Sequence, residues 1–171
     1  MSLTVETGSG VSGAESYASV ADADAYWAAR NEPAAWTAAE TAEKEAALRI
    51  ATEYLDARFG SWWRGVKADS DNALDWPRAG VHDENGYLLA SDELPTALVR
   101  ATIEAAGRQA ASDLDGDVDA ESRDIVEESL QAGKVKETIR FAGTKAADPY
   151  YTRIERLVAR LIWPGGTIRR A

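Results

Sequence analysis

The chain has no cysteine and only one histidine, His82. Those shortages remove disulfides, thiolate zinc sites, cysteine nucleophiles and histidine-rich metal clusters, and they leave a serine triad with no spare histidine. Long apolar runs are missing too: nothing approaches the roughly 20 apolar residues that a membrane span needs. Met1 to Gly13 has neither the basic stretch nor the apolar core of an export signal, so the chain reads as one assembled in the cytosol, with no membrane partner. No repeat of solenoid length recurs. Basic charge is scarce, with 19 Lys+Arg against 29 Asp+Glu and a net charge of -10. Such a balance repels phosphate at long range and argues against a broad grip on nucleic acid. What remains is 171 residues at 45% apolar, the composition of one ordinary globular domain spanning 1–171.

The charge is unevenly placed. Tyr150 to Ala171 carries Arg153, Arg156, Arg160, Arg169 and Arg170 against Glu155 alone, a basic handle on an acidic body. The one biased run is the acidic stretch Asp113 to Glu128.

Periodicity predicts a mainly α fold, a small bundle of about four helices with one or two short β-hairpins. Leu3 to Glu6 alternates like a short strand, and Ser19 is placed to cap a helix to about Arg30 with Val20, Ala23 and Trp27 on one face. Thr37 and Glu40 have capping-box spacing before a long helix to about Phe59, whose Ala47, Ile50, Ala51, Tyr54 and Leu55 form the expected core stripe. Asn85-Gly86 favours a tight turn between residues 79–82 and 87–89. Pro95 opens a second core helix with Leu98, Val99, Ile103, Ala106, Ala110 and Leu114 along its stripe. Ile125 to Leu130 and Lys134 to Phe141 read as a second hairpin. Asp148-Pro149 opens a last helix, stopped by Trp163-Pro164.

None of the candidate chemistries is complete. Asp113, Asp115, Asp117, Asp119 and Glu121 resemble an oxygen-rich calcium loop, but aligning Gly116 with the EF-hand glycine puts Ala111 first and Ser122 last, where carboxylates are required. The run reads as a solvated acidic linker. His82 beside Asp83 and Glu84 lacks a nucleophile or oxyanion motif, and reads as a surface residue of the turn. Gly8 to Gly13 lacks the lysine and the buried strand of a phosphate loop. No catalytic, cofactor or metal-binding residue is assigned. Trp62-Trp63-Arg64 and Trp76-Pro77-Arg78 pair aromatics with arginine, as stacking platforms for single strands do, yet Asp56, Asp69, Asp71 and Asp75 oppose the neighbouring cations. Trp62, Trp63, Trp76 and Arg78 therefore read as loop packing or a secondary interface.

The same segment carries a resemblance. Ser16-Tyr17-Ala-Ser19 with Asp22 and Asp24, Glu45 to Asp56, Trp63-Arg-Gly65, Leu74-Asp-Trp76-Pro77-Arg78 and Leu94-Pro95 together resemble the head-to-tail adaptor (connector, head completion) proteins of tailed bacteriophages. Some members of that family carry the label of DnaT-like single-stranded-DNA-binding protein. The likeness runs from Leu3 to about Leu114, and Glu128 to Val135 is similar to the strand pair preceding the family's last helix; the acidic insert departs from it. The resemblance implies a non-enzymatic adaptor in the virion neck, a closed ring of twelve copies in which passing double-stranded DNA is not tightly bound. Its implied partners are the portal protein on one side and a tail-proximal neck or stopper protein on the other. Single-stranded-DNA binding is the alternative. Residues 150–171 carry an apolar stripe, Ile154, Leu157, Val158 and Leu161, then Trp163, Arg169 and Arg170. Two readings fit it: a packed last helix with a frayed basic tail, or a segment reaching out to dock on the portal.

Overall fold

The computed structural model describes residues 2–83, 85–114, 125–131, 136–141 and 151–163. They form α1 (Val20–Ala28), α2 (Ala34–Ala38), α3 (Thr41–Phe59), a 3-10 turn (Gly60–Trp62), β1 (Val66–Lys67), β2 (Arg78–Ala79), α4 (Thr96–Gln109), β3 (Ile125–Gln131), β4 (Lys136–Phe141) and α5 (Thr152–Val158). The fold is mainly α, as the periodicity requires. The chain divides into two compact units, Met1–Leu114 with Tyr151–Ala171, and Asp115–Tyr150.

Local signals set most boundaries of the first unit. Ser19 caps α1: its hydroxyl accepts from the Asp22 N–H at 3.0 Å, and the Asp22 carboxylate accepts from the Ser19 N–H at 3.2 Å. The expected box at Thr37 and Glu40 is corrected. Pro33 starts the short α2, which absorbs Thr37, and the Thr37 hydroxyl donates to the Pro33 carbonyl. The chain resets to extended geometry at Ala39, and Glu40 becomes the cap of α3, paired with Glu43 at 2.8 Å. Pro95 caps α4.

On α3 the buried residues are Ala47, Leu48, Ala51, Thr52, Tyr54, Leu55 and Phe59. At about 100° per residue they cover an arc of roughly 160°, and Ile50 falls about 40° outside its Tyr54 edge. Ile50 is accordingly 38% exposed, which corrects its place in the expected core stripe. α4 packs between α3 and α5 and buries every residue from Ala101 to Gly107. The buried hydroxyls of Thr52 and Thr102 donate to the carbonyls of Leu48 and Leu98, so neither is left unsatisfied.

Between α3 and α4 the chain makes the small antiparallel β1–β2 pair, with Val66 opposite Ala79, and then a turn closed by Asp83 N–H to Tyr87 O at 2.9 Å and Gly86 N–H to Asp83 O at 3.1 Å. Gly86 has φ +84°, which explains the Asn-Gly pair, and His82 bridges Leu88 as the expected hairpin requires. After α5 the chain returns to this region: Trp63 bridges Ile162, Arg64 N–H donates to Leu161 O, and Trp163 N–H donates to Trp62 O. In the second unit β3 and β4 pair antiparallel from Ile125–Phe141 to Gln131–Lys136, with an irregularity between Ile125 and Glu127. That is the expected second hairpin; its turn lies outside the described residues, as do Asp148 and Pro149, and the last helix runs from Thr152 to Val158, ending before the expected stop at Trp163-Pro164.

Candidate functional site

The two Trp-Arg elements have different fates. Trp63 and Trp76 are buried and meet edge to face, with centroids 5.8 Å apart at 82°, and Phe59 packs on Trp63. Arg78 turns inward with them. Its Nε donates to Arg64 O at 2.8 Å, Nη2 to Gly65 O at 2.9 Å and Nη1 to Asp75 O at 3.2 Å, and burial pulls its pKa down. The guanidinium thus ties both ends of the 64–79 loop, and Gly65 is required there because a Cβ would sit 2.2 Å from the Ala79 carbonyl. Trp63, Trp76 and Arg78 hold the loop in shape, so none of them offers a face to a base or a phosphate. All three are buried, and Trp62 is not.

Trp62 is 42% exposed and Trp163 is 58% exposed, and a backbone hydrogen bond joins the two residues. Arg64 lies beside Trp163, its guanidinium 5.8 Å from the ring centroid, with Nε donating to Ile162 O at 2.9 Å and Nη1 to His82 O at 3.4 Å. The His82 contact leads on to Leu88, and the neighbouring strand carries Val66. Val66, Tyr87 and Leu88 are all largely exposed. Among the described residues, five of the six exposed large apolar side chains therefore belong to three interlinked segments, 62–66, 87–88 and 163. Exposed apolar side chains on segments joined by such bonds, with one pinned arginine linking those segments, have the make-up of an interaction surface.

The C-terminal stripe is corrected on one point. Ile154, Val158 and Leu161 lie within the core, and Leu157 packs half-buried against it, so the stripe covers its own domain instead of forming a free docking face. α5 is further anchored by the buried Arg58–Glu155 pair at 3.1 Å. Of the described C-terminal candidates, Trp163 alone is exposed; Arg169 and Arg170 lie outside the described residues, as does most of the acidic run. His82 is exposed on its turn, and no group of acidic and histidine side chains able to hold a metal occurs among the described residues. No helix there is long and apolar enough to cross a membrane.

Two buried polar centres have no sequence motif. The Glu6 carboxylate accepts the N–H groups of Gly8, Gly10 and Val11, closing the N-terminal loop. Asp56 accepts the Tyr17 hydroxyl at 2.7 Å and the Asp75 N–H at 3.2 Å, while that hydroxyl accepts from Trp76 N–H. Burial pushes the Asp56 carboxyl up to about 6, with nearby Asp75 adding to the shift. Both centres join residues through backbone or long-range contacts that spacing does not encode.

The whole chain, residues 1–171, matches the family model described as "Putative DnaT-like ssDNA binding protein". It belongs to that family. No curated protein and no solved structure matches it.

Proposed function

We propose that this member of the DnaT-like family is a non-enzymatic assembly protein, an adaptor of the tailed-phage neck that forms a ring between the portal and a tail-proximal neck or stopper protein. The observation that carries this reading is the division of the tryptophans. Trp63 and Trp76, with Arg78, are consumed inside the fold, while exposed Trp62 and Trp163 stand with Val66, Tyr87 and Leu88. A surface of that composition suits a protein partner, whose apolar groups it desolvates. Net charge of -10 suits a channel wall, because each neutralised phosphate adds salt-dependent affinity and drag on passing DNA. Head-to-tail ring contacts need two different complementary faces, and an acidic body with an arginine-rich C-terminal segment supplies opposite charges for them. The place of assembly is the bacterial cytoplasm and the final location the virion.

The second reading, single-stranded-DNA binding, is favoured by the family's description and by one arrangement, the Arg64 guanidinium over the exposed Trp163 indole. Fluorescence anisotropy of a labelled oligonucleotide at physiological salt separates the two. The adaptor reading expects no saturation below about 100 µM, the weak end of non-specific binding. Submicromolar binding lost in both Trp62→Ala and Arg64→Ala would replace the adaptor with a single-strand binder. Trp62 is the side chain to change, since Trp63 is core.

A further inference from the structure

We propose that the pocket walled by α1, the 31–33 loop, α4 and the start of α5 is a binding site for an oxyanion, a carboxylate or phosphate group carried on a small apolar or aromatic body. The cavity holds about 340 Å³ and is lined by Trp27, Pro33, Glu104, Arg108, Tyr151 and Arg153, among others. At about 30 Å³ per water it has room for a group well beyond a single ion.

Two observations set the chemistry. First, two lining side chains hold buried donors with no partner: the indole Nε1 of Trp27, whose residue is 3% exposed, and the Nε of Arg108. Neither atom can accept a hydrogen bond, so only an acceptor satisfies them; the indole N–H groups of Trp63 and Trp76 are also unpaired but are sealed inside the fold, whereas Trp27 and Arg108 line a pocket that a ligand can enter. Second, the local charge is positive on a chain whose total is -10. Arg153 pairs with Glu104 at 3.0 Å, and the Tyr26 hydroxyl also donates to that carboxylate, so Glu104 is neutralised. The charge of Arg108 is left over, its guanidinium stacked 5.1 Å from the Tyr151 ring centroid. The C-terminal end of α4 contributes an opposing partial charge of only about half a unit, which one guanidinium outweighs. Trp27, Pro33 and Tyr151 supply apolar wall for the body of the ligand. Gly107 keeps the indole in place, because a Cβ there would come within 2.7 Å of its Cζ2.

The test follows the Trp27 indole N–H by two-dimensional NMR of the full chain, assigned with Trp27→Phe, during titration with benzoate and with inorganic phosphate at ionic strength held constant with chloride. The expected result is a saturable shift of that one indole signal with either probe, the responding probe identifying the group, and an affinity at least tenfold weaker in Arg108→Gln. Absence of a saturable shift with both probes, the same shift with chloride alone, or an unchanged affinity in Arg108→Gln overturns the proposal. If Arg108→Gln does not fold, Arg153→Gln takes its place: its side chain is 57% exposed, and its loss leaves Glu104 facing the ligand unneutralised, so binding must again weaken at least tenfold or the site is not an anion site. The outcome is independent of the neck assignment.

Discussion

Ile103→Ala lowers the unfolding free energy by about 2 to 5 kcal/mol, whereas Ile50→Ala changes it by less than about 1 kcal/mol. Ile103 is 2% exposed in the middle of α4, where α3 and α5 press from both sides, so truncation removes buried methyl groups and leaves a cavity that two helices cannot readily close. Ile50 stands on the wet edge of α3 and loses little by becoming alanine, itself a better helix former. Urea titrations of the two variants against the parent chain measure the contrast. Equal midpoints in both variants would mean that the α4 face has been assigned to the wrong side.

Asp56 makes stability fall as pH rises from about 4 to 7. Its carboxyl is held near 6 in the folded chain by burial and by Asp75, against about 3.9 in the unfolded chain. Between those values the folded protein keeps a proton that the unfolded chain has released, so each step up in pH favours unfolding. The stabilising difference is fully present below about pH 4 and gone above about pH 6, and a shift of two units corresponds to about 3 kcal/mol. In Asp56→Asn the amide oxygen still accepts from Tyr17, and no proton is exchanged in this range. Relative to the parent chain, that variant should gain about 3 kcal/mol between pH 4 and pH 7 in denaturant titrations. Parallel stability curves for the two proteins would show that Asp56 ionises normally and that the Tyr17–Asp56–Trp76 junction does not exclude water.

Short-range rules account for the features that were legible in the residues. Ser19 with Asp22, Asn85-Gly86 and Pro95 act through their own backbone and the next few residues, and each does what its chemistry requires. Two errors came from the same level. Thr37 and Glu40 share the spacing that Glu40 and Glu43 also have, and only the reset of the chain at Ala39 decides between them. Ile50 fits a helical period but sits just beyond the buried arc, whose width depends on how closely α4 approaches α3. The α5 stripe shows a different gap: amphipathicity says that Ile154, Val158 and Leu161 need cover, and not that their own domain provides it. Trp76-Pro77-Arg78 was conspicuous in sequence, but its use as an internal tie rests on carbonyls of Arg64, Gly65 and Asp75 that no motif names. The Tyr17–Asp56 bond, across 39 positions, and the unpaired donors of Trp27 and Arg108 left no mark in the pattern at all.

Docking through the exposed tryptophans is the central claim, and co-sedimentation with purified portal rings measures it most directly. The parent chain and Ile50→Ser should pellet with the rings. The double variant Trp62→Ser/Trp163→Ser, which removes two part-exposed indoles, should still unfold in one cooperative thermal transition and stay in the supernatant. Wild-type pelleting by the double variant, or no pelleting by the parent chain, contradicts the account.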